Sequence, residues 1–215
     1  MALISEREKA RIQELFSFEK ALWAGGIRFV AGLDEAGRGP LAGPVVAAAV
    51  IFPKVVYIPG LNDSKLLTPT RREKLYGAII EQASAVGIGE ASPQEIDRLN
   101  ILQASLLAMQ RAVFHLALDP EHLLIDGRWE LPGCNIEQKA LVKGDQRCFS
   151  IAAASIIAKV YRDRIMMDYH KLYPQYGFER HKGYPTRAHI EAISEHGYCA
   201  IHRRSFNVKF LDDNL

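Results

Sequence analysis

The spacing of apolar and polar positions predicts helices alternating with strands. Residues 5–24 place Leu15, Phe16, Phe18, Ala21 and Leu22 at helical spacing, and Gly25-Gly26 supplies a C-terminal stop. Residues 29–33 form a short apolar run of strand length that leads into Asp34-Glu35. The stretch GRGPLAGP at 37–44 holds three glycines and two prolines in eight residues, which excludes regular structure. A second strand is expected at 45–52. Thr68-Pro69 is a helix cap followed by proline at the first helical position, and that helix should run to about residue 83. A short strand follows at 86–89. Ser92-Pro93-Gln94-Glu95 has capping-box spacing and should open one long helix to about residue 117. Residues 123–125 read as a buried strand ending on Asp126, and 141–142 as another. Residues 150–169 are strongly helical, and Thr186 caps a further helix that Gly197 ends. Strands alternating with helices give an α/β domain.

Composition places the chain among globular proteins: 215 residues, 48% hydrophobic and 24% charged. This length suits one domain with a sizeable core. The net charge of +2 says little about partners, but 139–187 holds ten Lys/Arg against four Asp/Glu. That local excess suits phosphate neutralisation. Cys134, Cys148 and Cys199 are odd in number and form no C-x-x-C, which argues against a disulfide framework or zinc knuckle. The N-terminus is charged from the start with no apolar signal core, and the longest apolar runs are too short to span a bilayer. A soluble cytoplasmic protein is expected, and nothing demands more than a monomer.

The carboxylates stand in unusual places. Asp34-Glu35 and Asp126 each follow an apolar strand and precede a glycine, at the carboxyl edge where open α/β sheets bind ligands. On the helix at 150–169, Ala152, Ser155, Lys159 and Asp163 form one stripe, so Asp163 is a fourth acid that could face the strand ends. Taken alone, Lys159 and Asp163 also read as an ordinary solvated pair. Four clustered acids need cations, because two unit charges 4 Å apart repel by about 4 kcal/mol at an effective dielectric of 20. Hard oxygen donors suit Mg2+ or Mn2+ rather than zinc, and two such ions serve in-line displacement at phosphorus. The chain has neither G-x-S-x-G nor a phosphate loop of the Walker type.

The run GLDEAGRGPLAGPVVAAAV at 32–50 resembles the first signature of type 2 ribonuclease H, bacterial ribonuclease HII in particular. NDSKLLT at 62–68, IDRLNILQAS at 96–105, LIDG at 124–127, KGD at 143–145, SIAAASIIAKVYRDR at 150–164, HKGYPT at 181–186 and HRRSF at 202–206 continue it in the family's order. The resemblance implies a ribonuclease H-like fold, a mixed central sheet flanked by helices, with a C-terminal helical extension. It implies a catalytic domain at 28–206 between an N-terminal helical segment, 1–27, and a tail, 207–215. The resemblance also implies an endonuclease that hydrolyses RNA in RNA–DNA hybrids and cuts 5′ of single ribonucleotides in duplex DNA, leaving 3′-hydroxyl and 5′-phosphate ends.

By motif match Asp34, Glu35, Asp126 and Asp163 would be the catalytic metal ligands, with Asp145 an accessory ranked below Asp163. Gly37-Arg38-Gly39 matches the loop that senses the substrate, where glycines let the backbone approach a 2′-hydroxyl. Tyr184 matches the tyrosine packed on the sugar beside the ribonucleotide. Lys65, Lys143, Arg147 and Lys159 are candidate phosphate ligands, each alone more often plain surface. His202 and Arg203-Arg204 would buttress the extension or touch DNA. The tail lacks the aromatic pair of a sliding-clamp motif, and the sequence names no recruiting replication or transcription partner. Two rivals remain at this level, a hybrid-binding module without metals and another two-metal nuclease on the same fold. The full acid set argues against the first, and the GRG and tyrosine blocks against the second.

Overall fold

The computed structural model describes residues 4–62 and 64–206; the predicted tail lies outside them, as do residues 1–3. Five strands form one sheet, ordered β3 (Ala85–Ala91), β2 (Val45–Ile51), β1 (Val30–Ala36), β4 (His122–Asp126) and β5 (Glu137–Leu141). The first three pair antiparallel, while β4 and β5 extend the sheet in parallel. Helices cover both faces, so the sheet is mixed and sandwiched, as the pattern and the resemblance imply. Every position of β2 is buried, which explains its unbroken Val/Ala/Ile run.

Helix α6 (Phe149–Leu172) packs on one face and α5 (Ile101–Phe114) on the other. Residues 149–158 of α6 are buried on all sides, which accounts for their Ala/Ile composition. The helix runs alongside β1 and touches it first at Gly32, where a Cβ would overlap the Ser150 backbone. Only glycine permits that approach.

Two predicted helices are each broken in two. The N-terminal one divides into α1 (Glu6–Leu15) and α2 (Ser17–Ala24) at Phe16. The Phe16 ring is fully buried and stacks on Phe149 with centroids 4.1 Å apart. With Ile12 and Leu15 it joins the main core, and burial of that wedge bends the chain. The second divides into α4 (Pro93–Leu99) and α5 at Asn100, which has φ 70° and accepts the N–H groups of Leu102 and Gln103. With ψ 164° this backbone lies outside the left-handed helical region and is strained for a residue with a Cβ; the two side-chain bonds that cap the new helix help hold it.

The other caps stand where the sequence puts them. Thr68 caps α3 (Pro69–Gln82), Ser92 and Glu95 form a complete capping box, and Thr186 caps α8 (Arg187–His196) before Gly197. The C-terminal extension comprises the end of α6, the short α7 (Phe178–His181) and α8. Its core of Met166, Tyr176, Phe178, Ile193 and Ile201 closes over Leu41 and Ala42 of the glycine-rich loop. Among the described residues, no helix is long and apolar enough to cross a membrane.

Candidate active site

Strand β1 continues through Asp34 and Glu35 to Ala36, so both acids lie inside its last turn of pleat rather than beyond it. Successive strand residues face opposite sides of a sheet. Leu33 belongs to the core under α5, so Asp34 faces α6 and Glu35 faces α5. Asp34 accepts a hydrogen bond from the Ser155 hydroxyl of α6 and another from the Glu35 N–H at 2.7 Å. Ser155 Oγ lies 2.9 Å from Ser64 Oγ. Either hydroxyl can donate in that pair.

Asp126 stands one step past the Leu33–Ile125 register pair, beside Asp34 on the neighbouring parallel strand. Its Oδ1 accepts the Gly144 N–H at 2.6 Å. Gly144 opens a short 3-10 turn, Gly144–Gln146, that carries the buried Asp145. On the α5 side, Glu35 and Asp126 share with Ser105 and Leu106 a cavity of about 40 Å³, roomy enough for an ordered water. Ser105 Oγ is buried there and, among the described residues, has no partner. Two strands and a helix thus deliver three acids and an unsatisfied hydroxyl to one place.

Burial raises Asp34 well above the usual carboxylate range, and repulsion from Glu35 and Asp126 adds to it. Burial also raises Glu35, opposed by Arg38, whose guanidinium lies 3.2 Å from its carboxylate, while Asp126 again pushes it up. A bound cation would relieve all three. Among the described residues, however, no three acidic, histidine or cysteine side chains meet on one ion-sized point. Glu35 turns to Arg38 and Asp126 to the Gly144 amide, so the expected gathering of four acids is incomplete.

Asp163 is held elsewhere. Lys159 donates to it at 2.7 Å and Arg72 lies 3.6 Å away. It sits eight residues beyond Ser155 on α6, about 12 Å along the helix axis. The ion pair with Lys159 is the ordinary reading of this stripe, although both side chains are largely covered.

The glycine-rich loop meets the extension. Gly37 has φ 96°, and a Cβ there would overlap the Arg162 guanidinium, so two independent reasons demand glycine. Tyr184 is 39% exposed, and its ring edge comes within 3.7 Å of where a Cβ on Gly39 would stand. Lys159 Nζ and the Arg162 guanidinium lie 5.8 and 6.0 Å from its ring centre. The structure therefore brings Tyr184 to the loop.

Lys65 and Lys143 are exposed, and Lys65 is close enough to favour the ionised form of Glu35. Arg147 instead lies over the Phe18 ring at 5.5 Å and donates to the Val142 carbonyl. His202 is buried, so it buttresses the extension and does not touch solvent. Its Nδ1 accepts from the Cys199 N–H, which leaves the proton on Nε2, 3.1 Å from His189 Nε2. His189 then donates from Nδ1 to the Tyr184 carbonyl at 3.0 Å. The relay fixes the backbone of Tyr184.

Sequence reasoning passed over Ser64, Ser105 and Arg162. For the first two the only signal was a hydroxyl within an apolar or motif context. For Arg162 it was a charge on an otherwise buried helix.

A family model described as Ribonuclease HII matches residues 31–209. Ribonuclease HII of Caldanaerobacter subterraneus subsp. tengcongensis is 53% identical over 206 residues, spanning 96% of this chain and 85% of that protein. The Desulfitobacterium hafniense protein of the same name is 56% identical over 199 residues, spanning 93% and 76%. Among solved structures, ribonuclease H2 from Pyrococcus horikoshii OT3 superposes with a TM-score of 0.68 at 28% identity, covering 86% of this chain and 97% of that one. RNase HII from Archaeoglobus fulgidus, solved as a complex with PCNA, gives 0.69 at 26% identity, covering 86% and 99%.

Proposed function

The chain belongs to the ribonuclease HII family of metal-dependent endoribonucleases, and we propose that it cuts the RNA strand of RNA–DNA hybrids and duplex DNA 5′ of a single embedded ribonucleotide. One observation carries the reading. Asp34, Glu35 and Asp126 converge at one strand edge beside a loop and a tyrosine suited to inspect a sugar.

The donor set fits hard divalent cations. All three side chains offer oxygen; among the described residues, Asp34 has no basic side chain among its hydrogen-bond partners and Ser105 Oγ has no partner of any kind. Asp34, Glu35 and Asp126 would hold Mg2+ or Mn2+. Asp145 is the better placed fourth acid, because its turn is tied to Asp126 through Gly144, whereas Asp163 is committed to Lys159 and Arg72. The ions would lower the pKa of an attacking water and offset charge on the leaving oxygen.

In the reaction, water oxygen bonds to phosphorus, the P–O3′ bond breaks, and a proton ends on the released 3′ oxygen. Asp34 is oriented by Ser155 and Ser64, and Asp126 by Gly144. Lys65 and Lys143 are exposed where they would meet phosphates, and Tyr184 would pack on the sugar next to the ribonucleotide. The enzyme acts as a cytoplasmic monomer in this reading. End-group analysis tests the bond assignment: products must carry 3′-hydroxyl and 5′-phosphate ends, and a 2′,3′-cyclic phosphate would reject it.

A further inference from the structure

Two arginines are buried behind the glycine-rich loop, Arg162 at 0% and Arg203 at 1% exposure. Among the described residues, neither forms a direct carboxylate pair. Arg162 of α6 donates to the carbonyls of Pro44 (2.9 Å), Ala42 (3.1 Å) and Lys182 (3.1 Å). Arg203, beyond α8, donates to those of Gly37 (2.6 Å), Arg38 (3.0 Å) and Gly43 (2.9 Å). Five of these six acceptors lie within residues 37–44. Burying a cation is costly unless its donors are satisfied, and here backbone carbonyls do that work. Burial pulls Arg162 down to about 10 and Arg203 to about 9, so both still carry charge near neutrality.

The direction of these bonds has a stereochemical consequence. In a trans peptide the N–H points opposite the preceding C=O. The protein has no cis peptide among the described residues. With the Gly37 and Arg38 carbonyls drawn inward to Arg203, the N–H groups of Arg38 and Gly39 face outward. Both residues are exposed. Two other amides of the loop are used: Leu41 donates to the Gly183 carbonyl and Gly43 to that of Ile201. Among the described residues, those of Arg38 and Gly39 have no acceptor.

We propose that Arg203, seconded by Arg162, is a positioning residue that presents the Arg38 and Gly39 amides as a fixed donor pair toward the substrate's 2′-oxygen, and so sets ribonucleotide selectivity. The inference rests on the ribonuclease reading above. Selectivity depends on these donors being aimed before the sugar arrives, since a loop free to turn its peptides would bind deoxyribose and ribose alike. A lysine at 203 keeps charge but lacks the planar fork that reaches three carbonyls at once.

The test compares the natural protein with Arg203→Lys on a duplex carrying one ribonucleotide and on an all-DNA duplex, with Mn2+ binding and melting followed in parallel. The expected result is at least a tenfold fall in kcat/KM on the ribonucleotide duplex, carried in KM, with Mn2+ binding unchanged. A folded Arg203→Lys with natural selectivity overturns the proposal. Failure of the natural protein to cut either duplex would strike the ribonuclease reading instead. Amide resonances of the natural protein supply a measurement that does not depend on the variant folding. The Arg38 and Gly39 amides should exchange fast in the free enzyme and be protected by the ribonucleotide duplex but not the all-DNA one, with Ca2+ in place of the catalytic ion. Protection already present in the free enzyme, or equal protection by both duplexes, contradicts the assignment.

Discussion

Glu19, on α2 of the N-terminal segment, accepts the backbone N–H of Ser150 at the start of α6, at 2.8 Å. It also accepts the Ser150 hydroxyl at 2.7 Å and the Cys148 thiol at 3.2 Å. Cys148 offers no side-chain cap of its own, so a residue 131 positions away in sequence caps the helix that carries Ser155. The N-terminal segment is thereby tied to the site, although it contains no nuclease motif.

Removing that cap should therefore weaken the whole domain. Glu19→Ala strips a buried acceptor from three donors and is expected to cost about 1–3 kcal/mol. Denaturant unfolding measures it. An unchanged midpoint would show that the N-terminal segment is dispensable to α6.

Asp126→Asn should leave the fold intact while reducing cleavage by more than about 100-fold. The amide keeps an oxygen to accept from Gly144 but loses the charge a divalent ion needs. Circular dichroism and Mg2+-supported cleavage read the two halves separately. Full activity would remove Asp126 from the metal site.

Tyr184→Ala tests the sugar contact. Loss of an aromatic platform is worth about 1–3 kcal/mol in single-strand stacking, and a similar loss is expected here. Cutting at a lone ribonucleotide should suffer more than cutting within an all-RNA strand. Equal losses on both substrates would make the tyrosine a general contact.

Acid should loosen the extension beneath that tyrosine. Burial lowers His189 and His202 from 6.5 to about 4; His181 further disfavours charge on His189, and His189 disfavours charge on His202. The unfolded chain then binds more protons than the folded one between these values. Stability consequently rises with pH in that window and falls as pH drops from 6.5 toward 4. The slope should shrink in His189→Gln, followed by thermal unfolding across pH. An identical slope in that variant would clear the histidine pair.

Much of this was legible in the sequence, because local rules and burial agreed. The caps at Thr68, Ser92 and Thr186, the all-apolar β2 and the pause at 37–44 follow from side-chain chemistry within a few residues. Phe16 and Asn100 were read as helix because local propensity says nothing of a ring stacked on Phe149 or a backbone turned to φ 70°. The motif blocks located Asp34, Glu35, Asp126, the GRG loop and Tyr184. Helical periodicity put Asp163 on one stripe with Ser155, but a shared stripe does not tell which point along it meets the strand ends, and Asp163 lies about 12 Å beyond Ser155. The clamp of Arg162 and Arg203 was out of reach, since five of its six carbonyls lie 118 to 166 positions from their arginine and leave no local trace.

The most direct test of the account is cleavage of a labelled DNA duplex containing one ribonucleotide, with Mg2+, beside an all-DNA duplex. The account predicts a single cut, 5′ of the ribonucleotide, in the first duplex and none in the second. Cutting of both duplexes, or tight binding of the first without any cut, would contradict it.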